Sequence, residues 1–544
     1  MPTARTTIKV APGSYFVNAP NSTPFRALRL SSAQMPPVVI IGAGAAGCVL
    51  ANRLSANPAR EVLLLEAGPD YTPENLPADL IDGTRNSLVA HDWAYRHKPS
   101  ARGVLAVMPR GRVVGGSSAV NTCIALRGQP EDYDEWAALG LSEWSFERCL
   151  PAFCKLERDL DFSDSYHGTT GPLPVRRHPP SELVPFQAAF IEACAELGLP
   201  ACADSNAPGQ AGYGPHAMNK IQGRRISAAE AYLTAAVRGR PNLTLRANLL
   251  VRRVLFERRR AVGVEVEAGG RVERIPAGQV IVSAGAINTP GVLLRSGVGP
   301  DREVRRLQCE PVLDAPAVGR RLLDHPGTGL YVLGRRGVVP DLAAPIIQTA
   351  YRYSSGECQH RADMMIQPLS FTYVRRLPLF AMVLQVGKPR GHGTLHYPSA
   401  DPRCLPIMHS RFFEDEFDMR LAADGMRRCQ QLLATRALSR MGRAVLPWAR
   451  LVGSQRWLAR MLSFWCGSGY HPCGTVPMGT APSENAAVDA HGRVFGLEGL
   501  RVVDASVMPT VPSSNIHLPT LMLAERMAEW IDAELGSATP PASS

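Results

Sequence analysis

No stretch of the 544 residues approaches the roughly 18 consecutive apolar residues that a membrane-spanning helix requires. Residues 1–36 hold no continuous apolar segment, which argues against a secretory signal. The 12 cysteines sit singly, with no CxxC pair and no cysteine–histidine group at zinc spacing, so neither a disulfide framework nor a metal site is expected. Scattered cysteines in a large chain read as reduced, intracellular thiols. No internal repeat is visible, which sets aside solenoids and propellers. Acidic charge is in deficit: the net charge is +11, and arginines recur in adjacent pairs (Arg252–Arg253, Arg305–Arg306, Arg320–Arg321, Arg375–Arg376, Arg427–Arg428). No nucleic-acid-binding motif accompanies this charge, so it reads as a solvated basic surface and no nucleic-acid partner is expected. The expected location is cytoplasmic, with peripheral attachment to the inner membrane face left open.

The remaining composition is that of a soluble enzyme: 45% apolar and 20% charged residues, with 48 Gly and 46 Pro spread along the chain as turn residues. The length exceeds one compact core and implies two domains or one large composite. Residues 1–36 read as an N-terminal arm and 537–544 as a small, Pro-containing tail.

The strongest local signal begins at Pro37-Val38-Val39-Ile40-Ile41, a short β-branched run leading into Gly42-Ala43-Gly44-Ala45-Ala46-Gly47. A helical stretch over Cys48–Ala56 and a second strand, Glu61-Val62-Leu63-Leu64-Leu65, follow and end on Glu66. Strand, glycine turn, helix, strand and acidic residue together form the dinucleotide-binding fingerprint in its full context. Gly42 permits the tight turn, Gly44 lets the backbone approach a pyrophosphate, and Gly47 lets helix and strand pack closely. The helix N-terminus turns its positive dipole end to the phosphates, and Glu66 can accept from the adenosine ribose hydroxyls. The fingerprint alone does not separate FAD from NAD.

Further strands are expected over 242–246, 251–257, 261–266 and 280–286, the last leading into a glycine turn. Residues 328–400 mix strands with loops, 415–441 read as one amphipathic helix, and a final helix is expected from about Thr520 to Leu535.

Four stretches together resemble the glucose–methanol–choline (GMC) oxidoreductase family. They are the fingerprint with Glu66-Ala67-Gly68, the segment Gly111-Arg112-Val113-Val114-Gly115-Gly116-Ser117-Ser118-Ala119-Val120-Asn121, the segment Gly285-Ala286-Ile287-Asn288-Thr289-Pro290 continuing to Pro300, and His471-Pro472-Cys473-Gly474-Thr475 followed by Leu500–Thr510. The resemblance implies an α/β (α+β overall) architecture: a Rossmann-like FAD-binding domain over 37–160, 215–310 and 460–536, and a substrate domain over 161–214 and 311–459 built on an antiparallel sheet flanked by helices. It implies cofactor contacts at Gly42, Ala43, Gly44, Gly47, Glu66, Val114, Gly115, Ser117, Asn121, Ile124, Val251, Ala286, Asp504, Ala505, Pro519 and Thr520. Val251 is expected near the adenine, Asp504 and Ala505 by the ribityl–pyrophosphate part, and His517–Thr520 beside the flavin pyrimidine edge. Where the family links its flavin covalently it uses a histidine just before the asparagine of the Gly-Gly-Ser-Ser segment. Val120 stands there, so non-covalent FAD is expected.

The same resemblance selects His471 and His517 from 13 histidines as the catalytic pair. A neutral imidazole can take the hydroxyl proton of an alcohol while flavin N5 takes the α-hydride. His325, in Leu323-Asp324-His325-Pro326, also matches the family and reads as structural. The implied partners are a small-molecule primary or secondary alcohol and an electron acceptor, either O₂ or a quinone or carrier. The absence of a secretory signal leans toward the latter. Three alternatives stay in view: a hydroxynitrile lyase that keeps FAD without net redox chemistry, a fatty-acid photodecarboxylase, and a non-catalytic FAD-binding partner. The intact histidines argue against the last two.

Overall fold

The structure is a computed structural model that describes residues 36–374, 377–446 and 455–537. The arm and tail expected at 1–36 and 537–544 fall, but for one boundary residue each, outside the described residues.

Five parallel strands make the first sheet, in the order Leu243–Arg246, Val62–Leu65, Val38–Ile41, Gln279–Val282, Leu500–Val502. Numbered along the chain this is 3-2-1-4-5. The order therefore reverses between Val38–Ile41 and Gln279–Val282, and a doubly wound sheet opens its ligand crevice at the carboxyl ends of the strands at such a point. Residues of both strands are buried on both faces, which explains their unbroken aliphatic character. The helix Ala45–Leu54 leaves the first strand through Gly42 and packs against the long C-terminal helix His517–Ser537.

The turn between them requires glycine twice. Gly42 has φ +99°, and a Cβ there would lie 2.5 Å from the Ser283 carbonyl oxygen. A Cβ on Gly47 would lie 1.9 Å from the carbonyl oxygen of Gly42, a backbone atom that cannot swing away. Gly47→Ala should therefore cost about 1–3 kcal/mol of stability and weaken cofactor retention. Thermal unfolding with FAD content measured in parallel checks this, and an unchanged melting temperature would contradict it.

The second large sheet is antiparallel, in the order Gly442–Leu446, Pro326–Gly334, Leu377–Val386, Met364–Val374, Thr349–Tyr353, Gly212–Pro215, with Gly467–Ser468 also pairing to Pro326–Gly327. The helices Pro185–Glu196 and Glu416–Ala434 pack on it. Their apolar faces close a core with Phe190, Leu330, Met382, Leu384 and Leu421, and Phe186 stacks on Phe380 at 4.4 Å between centroids. This is the α/β architecture expected, with the antiparallel sheet flanked by helices.

Several boundaries differ from the sequence expectation. The first helix runs Ala45–Leu54 rather than 48–56, starting directly after the glycine turn, and the run 280–286 is strand only to Val282 before it enters the helix Gly285–Arg295. The stretch 415–441 is two helices, Glu416–Ala434 and Arg436–Met441, because the Thr435 side chain caps the second by accepting from the Leu438 amide. The last helix begins at His517, three residues early. Pro519 is tolerated in its first turn, where amide N–H groups lack intrahelical partners in any case. Among the described residues no helix is long and apolar enough to cross a membrane.

Candidate active site

A cavity of about 1740 Å³, counted with its open mouth, lies in the crevice of the parallel sheet and takes in Gly469–Pro472, the residues that follow the short strand Gly467–Ser468. Its wall contains Gly42, Gly44, Glu66, Ser117, Asn121, Ile124, Val251, Ala286, Asp504, Ala505 and Thr520 from the expected cofactor set, together with His471 and His517. Ala43, Gly47, Val114, Gly115 and Pro519 are not among the wall residues. Ala43 and Gly115 instead tie the two glycine turns together, the Gly115 amide donating to the Ala43 carbonyl at 2.7 Å.

At the sheet end, Glu66 Oε2 accepts from the Ala43 amide (2.9 Å) and Oε1 from the Gly68 amide (2.8 Å). Burial nevertheless raises this carboxyl to about 6. Asp504 accepts from the Gly285 amide (2.8 Å), the Thr289 hydroxyl (2.6 Å) and the Ser506 amide (2.8 Å), which ties the Gly285 turn to the last strand. The residues fit a bound FAD. A Cβ on Gly44 would meet nothing within 4 Å, so its backbone is bare to the cavity. Gly116 comes so close to it that a Cβ there would lie 2.7 Å from Gly44 Cα. Two glycine turns thus form one backbone cradle of the kind a pyrophosphate requires.

The histidines stand on the wall of the same cavity. His471 Nε2 lies 2.9 Å from Asn515 Nδ2, and His471 Nδ1 lies 2.9 Å from His325 Nδ1. His517 lines the same cavity, but among the described residues no hydrogen bond joins it to His471. Its buried Nε2 has no partner, and neither has Asn515 Oδ1. Two unsatisfied polar atoms beside the base are what an alcohol hydroxyl or a flavin edge can satisfy. Asp324 Oδ1 accepts from the backbone amides of both His325 (2.8 Å) and His471 (2.9 Å), so one carboxylate fixes both rings' backbones. Burial raises Asp324 to about 6.

Burial, then the neighbouring His325 and Arg110, hold the His471 imidazole well below its ordinary value. Burial alone lowers His517 to about 4, and burial is also the main reason His325 falls to about 4. All three rings are neutral near pH 7.

Reading the sequence singled out His471 and His517 but missed Asn515 and Asp324, and it took His325 as structural. The signal for Asp324 and His325 was present in the Leu323–Pro326 match. Asn515, two residues before His517, carried none.

Away from the cavity, Glu157, Asp159 and His167 converge. Their charge is met by arginine: Arg127 pairs with Glu157, and Arg177 with Asp159 (2.6 Å) and Asp204 (2.5 Å). Several paired surface arginines likewise have local acidic partners, as in Arg252–Glu267 and Arg253–Glu265.

Residues 37–327 match the N-terminal family profile described as GMC oxidoreductase, and residues 389–524 match the C-terminal one. The chain belongs to the GMC oxidoreductase family. It is 36% identical over 526 residues to a 5-(hydroxymethyl)furfural oxidase of Methylovorus sp. (strain MP688), covering 91% of this chain and 98% of that one. It is 35% identical over 542 residues to the mitochondrial choline dehydrogenase of Mus musculus, covering 91% and 89%. Among solved structures, pyridoxine 4-oxidase from Mesorbium loti superposes with a TM-score of 0.84 at 29% identity, covering 91% of this chain and 99% of that one. GMC oxidoreductases bind FAD, and this oxidoreductase is an enzyme acting on alcohol-type donors.

Proposed function

We propose that this GMC oxidoreductase oxidises an uncharged primary alcohol carried on a planar ring, with His471 as the base and non-covalent FAD as the cofactor. The supporting observation is that His471, with Asn515 against its Nε2, and His517 line the same cavity as the dinucleotide cradle. The part beside the parallel sheet would hold FAD and the part beside His471 the alcohol. Bound FAD supplies the acceptor for the hydride leaving the α-carbon. His471 Nε2 takes the hydroxyl proton, Asn515 and His517 hold the alcohol oxygen, and the buried wall keeps water from the reacting carbon. The dipole of the helix beginning at His517 favours negative charge at its N-terminal end.

The choice of an uncharged substrate rests on the lining. Among the described wall residues the only carboxylates are Glu66 and Asp504, both on the cofactor side and both engaged by backbone amides. The cations Arg110 and Arg295 and the rings of Trp93, Tyr95 and Tyr470 also line the wall. A quaternary ammonium group buried there would have no carboxylate to offset its desolvation. The names of the furfural and pyridoxine oxidases point to hydroxymethyl groups on aromatic rings, in line with this lining. An anaerobic panel of alcohols, watched for bleaching of the flavin band and then exposed to air, tests the reading. Hydroxymethylfurfural should bleach the flavin at least about tenfold faster than choline, the scale of one poorly satisfied group in a pocket. Faster bleaching by choline would overturn the substrate class. No bleaching by any alcohol would favour the lyase alternative.

Val120 fills the position where a histidine would link the flavin, and it is buried with 4% exposure. Acid or heat precipitation should therefore release FAD into the supernatant. A denatured pellet that stays yellow would contradict this.

A further inference from the structure

The contact between His325 and His471 determines where their protons lie. The rings meet edge to face, 5.0 Å between centroids at 71°, with the two Nδ1 atoms 2.9 Å apart. On its other side His325 Nε2 lies 2.9 Å from the Pro512 carbonyl oxygen. A carbonyl oxygen only accepts, so His325 carries its proton on Nε2. A neutral imidazole has one N–H, so His325 Nδ1 is a bare acceptor. The Nδ1–Nδ1 bond needs a single proton, and only His471 can supply it. His471, itself a wall residue, is then protonated on Nδ1 and bare on Nε2, the atom that faces the amide of the wall residue Asn515 at 2.9 Å.

We propose that His325 is a positioning residue that sets the tautomer of His471, through the chain Pro512 carbonyl, His325, His471, so that the cavity-facing Nε2 is always the acceptor. The proposal rests on the reading of His471 as the base. In the proton transfer the alcohol O–H bond breaks and an N–H bond forms at Nε2. The Nδ1–H of the resulting imidazolium stays bonded to a neutral ring that can accept from it. Asn515 Nδ2, released from Nε2, is free to donate to the alcohol oxygen.

The surroundings serve this arrangement. Asp324 holds both backbones, and its carboxylate also accepts from the Ser468 hydroxyl. The other charges felt at the two rings are Arg110, Lys388 and Asp132. None of these lies in hydrogen-bond contact with either imidazole, so none competes with His325 for the His471 Nδ1–H. A merely packed histidine needs no partner at each nitrogen, and His325 has one at both.

Nitrogen-15 NMR of the FAD-loaded enzyme, labelled at histidine and assigned with His325→Asn and His471→Ala variants, reads the tautomers directly. At pH 7 His471 should show a protonated Nδ1 and a bare Nε2, and His325 the reverse. A proton on Nε2 of resting His471 would overturn the proposal whatever the turnover. Kinetics give the second arm. Asparagine places an amide oxygen near the former Nδ1, so His325→Asn should keep anaerobic flavin bleaching within about tenfold of the parent. Leucine offers no acceptor, so His325→Leu should slow bleaching by about 10²-fold and shift its pH profile, the lower end of general-base effects. Leucine and asparagine variants with the parent's rate and profile would also overturn it. Should the leucine variant not retain FAD, the NMR result on the native enzyme decides alone. Undiminished bleaching in His471→Ala would instead overturn the base assignment, which separates the two failures.

Discussion

Replacing His471 with alanine is expected to slow anaerobic flavin bleaching by about 10²–10⁴, the usual contribution of a positioned general base. FAD content should stay near one per chain, because the ring's polar partners are His325 and Asn515 rather than the glycine cradle formed around Gly44 and Gly116. The variant should also lose some stability. Deleting the ring leaves His325 Nδ1 and the Asn515 amide without their partner, and each buried unsatisfied group costs about 1–3 kcal/mol. A slower rate with a normal flavin spectrum and a modest drop in melting temperature is therefore the expected signature. His517→Asn should be milder, since an amide can still donate to the alcohol oxygen, and His517→Ala should fall between. Bleaching by His471→Ala at the parent's rate would remove the base assignment and make a redox-silent lyase the better reading.

The cofactor half was legible because its information is local. A four-residue aliphatic strand, a Gly-x-Gly-x-x-Gly turn and an acidic strand end occur within about 30 residues, each with one physical reason to be there. The strands Val38–Ile41 and Val62–Leu65 and the turn at Gly42 accordingly fall within one residue of where the sequence reading put them. What was not legible is what depends on distant pairing. Leu243–Arg246 reads as a strand, but nothing in it announces that it lies beside Val62–Leu65, far earlier in the chain. The sequence marks His471 and His517 as a pair, whereas His471 touches His325 and Asn515, at sequence separations of 146 and 44. A histidine in a motif gives its position along the chain. Which of its nitrogens is bare depends on the partner of the other, and that partner is chosen by the fold.

The pH dependence of flavin bleaching tests whether these histidines are as buried as the structure has them. An exposed imidazole base would give a rate that falls on acidification through about 6.5, its unperturbed value. Here the causes all act in the other direction. Burial disfavours the charged ring, and the neighbouring His325 and Arg110 add to it, so His471 sits well below that value. His325 and His517 are each lowered to about 4. A depressed value means the neutral, competent base persists to lower pH. Protonating His325 also silences the site, since the ring then has no bare nitrogen for the His471 Nδ1–H. His471 and His325, in direct contact, titrate as a pair, and the apparent value belongs to the pair. The second-order rate constant for bleaching should thus be flat from pH 8 down to about 6 and fall only in more acid solution. Once below the apparent value it should lose about tenfold per pH unit, so that two units cost about 10². Measurement by rapid pH jump keeps acid exposure short enough to separate this effect from unfolding. In His471→Ala the acid limb should disappear along with most of the rate. An inflection near 6.5 in the parent enzyme would mean that water reaches the His471 ring, and the buried relay through His325 to Pro512 would then have no basis.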